Sequence, residues 1–588
     1  MNDSKRLSIT PLLHGQYFCE ECTNNNIANN EDMAALFCAS IGKNAAPNIT
    51  KKLDSIGPKV SPSGKYSLGY TLIVPLMRYF YKTESGQLGF NNDAMLINLS
   101  TVNDVDRPVV IYLSLNHFTD SNVDLCNEIA RDETNVMWNR DGPLEKSDYF
   151  NNLVIPWTLS DMDAQINIMR IYAFKKASKA IASLQDYAQE RIIAVSLLGE
   201  IHNLFPNFIG GPNYDIDLYN ATDYSPKSII KFQQSLSNEY SSIDAFNDDI
   251  GASFLRFEDV TPPSKDIRKE ELNTYCEHFD KFASGHIPVY GWVHDKLDRN
   301  AVIKVYLDCN EIGTAQLGLS RTDVTDSIID IKDPNIGFSF YIDYRNIAIG
   351  VHTIDVIIHF ENGRPLCLAK RNVVVVDRMQ GTPPIIDEIG LDYSIINSDI
   401  NIISNLDSPE NLQSLFYNKL ARLWMRHRDN TIREYYEYFA FIAINSGIKK
   451  DKLFCHQMLP GIYGGWNAEL VSTECSLKEN SSYNIGVTLY GGAAFGCAIR
   501  DFKKIYGWGK YSVGEMHPVV CLTSQMYLSM FENHRRNGAV FVSPYYISML
   551  PDYLTPGGGL DRFEIQQDNH LSCSNLYYES IRYLMNNH

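Results

Sequence analysis

The chain has no long apolar run: none of its stretches reaches the roughly 20 uninterrupted apolar residues of a membrane span, so no membrane span is expected. Its start, Met1-Asn2-Asp3-Ser4-Lys5-Arg6-Leu7, lacks the apolar core of a secretory leader, which makes the cytoplasm the expected location. Cations are also short, with 52 Lys and Arg against 70 Asp and Glu and a formal charge of −18. Such a surface repels phosphate backbones and anionic lipid, which excludes nucleic acid as a partner. Cysteines are few for 588 residues: the twelve are scattered singly except for Cys19 and Cys22. That spacing spells out no disulfide framework, and a tetrahedral zinc site needs a second ligand pair. Cys19 and Cys22 therefore read as reduced thiols near a turn, and no metal or organic cofactor is expected. Gly491-Gly492 and Gly557-Gly558-Gly559 lack the Lys and Ser/Thr that complete a phosphate-binding loop, and read as tight turns.

What is present is apolar mass, 44% of residues with 12% aromatic, ample for large packed cores. Much of it falls in eight short runs rich in β-branched and aromatic residues: Tyr66–Leu76, Pro108–Phe118, Leu153–Leu159, Arg191–Glu200, Lys452–Pro460, Tyr483–Gly492, Tyr511–Pro518 and Ala539–Ile547. Helical stretches separate them, as from Ser160 to Glu190, where Ile166 and Met169, then Ile171 and Phe174, recur at three-residue spacing. Strands that are apolar on both faces and alternate with helices predict an α/β fold with a parallel sheet, and eight of them predict a (β/α)₈ TIM barrel. Each run ends in polar or aromatic residues, as expected where strand ends open onto an active-site face.

About 250 residues separate the fourth run from the fifth, too many for a βα loop, so a domain is expected between them. From about Ile287 to Asp377 the pattern becomes short alternating strands, such as VIKVYLD, GFSFYID and HTIDVIIHF, parted by Gly, Asn and Asp turns. This predicts an all-β sandwich. The expected organisation is an irregular N-terminal arm (1–60), the first part of the barrel with strands one to four (61–285), the inserted sandwich (286–378) and the second part with strands five to eight (379–588). Met379–Pro384 reads as a linker and Asn411–Ile448 as helical.

Glu200 ends the fourth run and Glu515 sits in the seventh, and only these two runs bring a Glu to the expected barrel mouth. A glycosidic bond is broken by such a pair, one carboxylic acid to protonate the leaving oxygen and one carboxylate across the sugar. Around them Asn116, His117, His456 and Gln457 are candidates to bind sugar hydroxyls. Trp157, Trp466, Tyr490 and Tyr545 are candidates to pack on pyranose faces. A Glu at a strand end also commonly caps a helix or pairs with an Arg, and the aromatic residues serve equally as packing under the rim.

An acid on the fourth strand with a nucleophile on the seventh resembles the clan of retaining glycosidases built on TIM barrels. Downstream of Glu200, Tyr224-Ser225-Pro226, Phe232, Leu236, Tyr240-Ser241-Ser242-Ile243, Phe246-Asn247 and Pro262-Pro263 resemble the segment after the acid/base of family 42 β-galactosidases. The resemblance implies Glu200 as acid/base, Glu515 as nucleophile and Tyr490 as its neighbour. Two positions differ: Gly199 stands where the family has Asn, and Tyr545-Tyr546 where it has Trp. Gly291-Trp292-Val293 and Gly337-Phe338-Ser339-Phe340 of the insert look like small β modules beside bacterial polysaccharide-processing domains.

The expected function is thus a β-specific glycosidase that cleaves an oligo- or polysaccharide, such as a bacterial surface glycan, by the two-carboxylate retaining mechanism. Two alternatives stand beside it: a carbohydrate-binding or scaffold barrel without turnover, and a transglycosylase of polysaccharide assembly. A carbohydrate is the expected partner, with a second copy of the chain or a component of glycan assembly left open.

Overall fold

A computed structural model describes residues 6–115, 122–149, 152–203, 221–376, 399–479, 481–554 and 561–588. The chain is mixed α/β. Among the described residues, eight parallel strands follow one another in chain order: β1 (Leu7–Ile9), β2 (Tyr70–Pro75), β3 (Val109–Ser114), β4 (Ile192–Leu198), β5 (Leu453–Phe454 and Gln457–Met458), β6 (Ile485–Tyr490), β7 (Tyr511–His517) and β8 (Ala539–Pro544). From β2 onward each pairs in parallel with the next, as in Tyr70↔Val109, Val195↔Leu453 and Gln457↔Val487. The last returns to the first through Ser8↔Phe541. At the β1–β2 junction Leu7 pairs with Tyr66, and Leu12 bridges Thr71. The strands are buried on both faces, which is why they read as apolar runs rather than as alternating ones.

Two elements differ from the sequence expectation. Leu153–Leu159 is not in this order: Asn152–Val154 pairs antiparallel with Ser147–Tyr149, and Trp157 bridges Val136 antiparallel. Pro156 has no N–H to give to a ladder. The run is apolar because Val154, Ile155 and Trp157 are core residues. The missing strand is β1, in the segment expected to be an irregular arm, which also holds helices Glu31–Ser40 and Ala46–Ile56. Three residues are too few to display a period. Leu153–Leu159 leaves the order before β4 and β1 enters it, so Glu200 still follows the fourth strand and Glu515 lies in the seventh.

Between β4 and β5 two antiparallel sheets share one core that includes Val289, Ile303, Phe338 and Val356. One sheet carries His286–Asp295 beside Gly337–Asp343, the other Ala301–Leu307 beside Gly350–Phe360 and Leu366–Val375. Ile402–Ser408 and Gln413–Leu415, placed by the sequence reading outside the sandwich, add a strand to each. Asn, Ser and Asp in NIISNLDS give a turn-like composition, and its partner strand supplies the order.

Helix α1 (Gln165–Ala182) packs against the 27-residue α2 (Lys419–Asn445), whose buried face carries Trp424, Tyr435, Tyr436 and Phe439. Asn418 caps α2 by accepting from the Leu420 N–H, while its own amide donates to the Cys276 and His278 carbonyls. Cys521 after β7 is bonded to Cys573 at the start of α3 (Ser574–Asn587), a disulfide that the scattered cysteine spacing did not announce. Cys19, Cys22 and Cys38 are buried together in a small apolar cluster. Among the described residues, no helix is long and apolar enough to cross a membrane. Gly557–Gly559 and the Met379–Pro384 linker lie outside the described residues.

Candidate active site

Glu515 reaches its position through a bulge in β7. The pairing with β6 runs Val487↔Val513 and then Thr488↔Glu515, so Gly514 is an extra residue that re-aims the side chain after it. Glycine is required there for a second reason: a Cβ on Gly514 would lie 2.8 Å from Nδ1 of His456. Glu515 keeps 17% of its side chain exposed. Tyr490, at the end of β6, donates its hydroxyl to Oε2 of Glu515 at 2.8 Å. Nε2 of His456, from β5, stands 3.3 Å from Oε1, within ion-pair reach but outside hydrogen-bond alignment.

Glu200 follows two left-handed residues that turn the chain at the end of β4, Leu198 at φ 64° and Gly199 at φ 94°. A branched residue in that region is strained by roughly 1–2 kcal/mol, and the surroundings hold it there. The Tyr436 hydroxyl of α2 lies between the carbonyls of Gly199 and His456 and shares its one proton between them. Gln457 donates to the Ile201 carbonyl at 2.7 Å. The φ of Gly199 lies in the region that favours glycine.

The two carboxyls sense each other. Burial first, then the charge of Glu515, pushes the Glu200 carboxyl up to about 7, against opposing effects of His456 and the Thr488 hydroxyl. Burial and the Glu515 charge likewise hold the Tyr490 phenol well above its usual range, so it stays a donor. The arrangement therefore offers a protonated acid beside a carboxylate that accepts a charge-assisted hydrogen bond, the complement that acid-assisted displacement needs.

No family model and no curated protein matches the chain. Two solved structures are similar in part. One is the β-galactosidase from the psychrophilic Marinomonas ef1, 7% identical, with a TM-score of 0.44, over 92% of this chain and 53% of that one. The other is the catalytic domain of the β-amylase from Paenibacillus polymyxa, 8% identical, with a TM-score of 0.44, over 95% of both chains. The chain thus spans about half the length of the β-galactosidase.

Of the other expected site residues, Tyr545 packs on the partner of Glu515: its ring meets Tyr490 edge-on at 5.9 Å, with Phe563 completing the cluster. Trp466 is one step away, stacked at 4.0 Å on Tyr463, whose hydroxyl accepts from the Tyr490 N–H. Three expectations change. Gln457 is fully buried, and its amide is committed to Ile201, Ser476 and Met458, so it fixes the chain after Glu200 instead of facing a ligand. Trp157 is buried beneath the Arg170 guanidinium and serves the core. His456 is 1% exposed and turned toward Glu515. Asn116 and His117 lie outside the described residues. Ser196, Thr488 and Tyr112 belong to the contact set without having stood out in the sequence; all three are buried strand residues with polar tips, a pattern that also marks ordinary barrel filling.

Proposed function

We propose that the parallel strands and their helices form a (β/α)₈ TIM barrel with an inserted β-sandwich, and that the chain is a glycoside hydrolase of retaining mechanism. Glu515 attacks the anomeric carbon; Glu200 donates its proton to the leaving oxygen and then takes one from the incoming water. The observation that carries this reading is the pairing of unlike carboxyls. Glu515 accepts the Tyr490 hydroxyl at 2.8 Å, while burial and the Glu515 charge keep Glu200 protonated up to about pH 7. The family 42 resemblance, the β-configured substrate and the surface-glycan context belong to the same proposal.

The test is turnover of a panel of aryl β-glycosides by the wild type, Glu200→Ala and Glu515→Ala, each with and without azide. Both variants are expected to lose about 10²- to 10⁴-fold in kcat, with azide giving products of opposite anomeric form in the two. The first-formed sugar, read by proton NMR, is expected to keep its configuration, and kcat/KM to fall above about pH 7 as Glu200 ionises. No turnover of any member, or an inverted first product, overturns the mechanism.

A further inference from the structure

His456 is used by no step above, yet its surroundings are built around it. It projects from β5, and its ring stacks on Tyr112 of β3 at 4.4 Å with planes 19° apart. Nδ1 is 3.1 Å from the Ser196 hydroxyl of β4, and the bare Cα of Gly514 on β7 leaves room for the ring edge. Three strands thus fix one imidazole at 1% exposure, and its remaining nitrogen, Nε2, has no hydrogen-bond partner and faces Glu515 Oε1 at 3.3 Å. A bare ring nitrogen there would oppose its lone pair to a carboxylate oxygen, so Nε2 must carry the proton. In the neutral ring Nδ1 then accepts from Ser196.

We propose that His456, held in its Nε2–H form by Ser196, is a positioning residue that donates to Glu515 and favours its departure from the glycosyl-enzyme. This rests on the glycosidase reading. In that step water attacks the anomeric carbon and gives a proton to Glu200. The bond from that carbon to the Glu515 oxygen breaks, and its electron pair returns to the carboxylate. The reformed carboxylate has Tyr490 O–H at Oε2 and His456 N–H at Oε1. Hydrogen bonds at reacting groups are often poorly aligned without substrate and tighten in the complex, which fits a 3.3 Å contact one small carboxylate rotation from alignment. A donor to the carboxylate stabilises it as leaving group and weakens it as nucleophile, so the benefit falls on the second half of the reaction.

The kinetic test uses the 2,4-dinitrophenyl glycoside of whichever sugar the panel identifies, a leaving group that makes deglycosylation limiting. His456→Ala is expected to lower kcat by about 10- to 100-fold, lower KM at least as much, leave kcat/KM unchanged or raised and accumulate the covalent adduct in intact-protein mass spectra. Ser196→Ala, which leaves the ring in place, is expected to move the same way by less. A fall in kcat/KM with KM unchanged or raised, and no adduct, overturns the proposal and leaves a packing role. An independent readout needs no turnover: nitrogen NMR of histidine-labelled protein, with the His456 signals assigned by His456→Ala. The expected result is a protonated Nε2 and a bare Nδ1, with the Nε2 signal moving in Glu515→Gln. An Nδ1–H ring, or signals indifferent to Glu515→Gln, overturns it. A silent panel with the expected ring signals would sink the glycosidase reading while keeping the contact; turnover with an Nδ1–H ring would do the reverse.

Discussion

At Glu200 a carboxyl sits where water is scarce and a second carboxylate is near, and together these raise its pKa to about 7. A pKa raised in the folded state has a defined effect on stability. Below the ordinary carboxyl pKa of about 4.3 both folded and unfolded chains hold this proton, and the site costs nothing. As pH rises toward 7 the unfolded chain releases it while the folded chain retains it, so the folded state loses ground, and above about 7 the full penalty stays. Glu200→Gln keeps the shape and removes the charge. It is therefore expected to raise the urea midpoint at pH 8, with a gain that shrinks when the measurement is repeated at pH 5. An equal gain at both pH values would mean that burial of the charge is not what shifts this group. The same variant is expected to be inactive as an acid, a stability–activity trade of the kind that strained or desolvated sites carry.

The elements show why the sequence placed both carboxylates at the fourth and seventh parallel strands through a partly wrong strand list. Seven of the eight runs correspond to parallel strands because strands buried on both faces must be apolar throughout, a signal that survives without any partner information. Leu153–Leu159 has the same composition for a different reason, burial of a proline-broken segment, and composition does not distinguish the two. At the site, a Glu in each of two strand ends was visible as residue type and place. The bulge at Gly514, the left-handed turn at Leu198-Gly199 and the reach of Tyr436 were not, since each depends on which elements become neighbours. Tyr436 belongs to α2, far in sequence from β4, yet its hydroxyl ties the carbonyls of Gly199 and His456. Tyr436→Phe removes both bonds and little volume. A loss of about 1–3 kcal/mol is expected from two carbonyls left without this donor. The fall in kcat is expected to exceed what that destabilisation causes, because Glu200 and His456 both lose a backbone anchor. Urea denaturation beside kcat at a temperature where the variant stays folded decides it; full activity in a destabilised variant would make the bonds structural only.

For the whole molecule, the question is what the insert does for a site built from parallel strands. Its edge meets the segment after β5: Ser320 and Tyr463 form a parallel bridge, with Ser320 N–H donating to Ile462 and Gly464 N–H to Ser320. Thr322 accepts from the Gly492 N–H, and Gly491 admits this approach because a Cβ there would stand 2.2 Å from the Thr322 hydroxyl. The glycine pair read as a tight turn is thus also a docking point. Leu319 of the insert joins the large core around the parallel strands, and Arg321 locks the edge through Asp323, Asp407 and the Gly464 carbonyl. From there two contacts lead to Glu515: the Tyr463 hydroxyl accepts from Tyr490 N–H, and the Tyr490 hydroxyl donates to Glu515. Arg321 is nearly buried, at 7% exposure, while Asp323 and Asp407 keep access to water, so removing it is expected to cost about 1–3 kcal/mol. Arg321→Ala should lower the denaturation midpoint, and if the insert edge holds Tyr463 in place it should also reduce kcat/KM on the active aryl glycoside under conditions where the variant remains folded. Reduced stability with undiminished kcat/KM would confine the insert to a role away from the carboxylates, because the path through Tyr463 would then carry nothing to them.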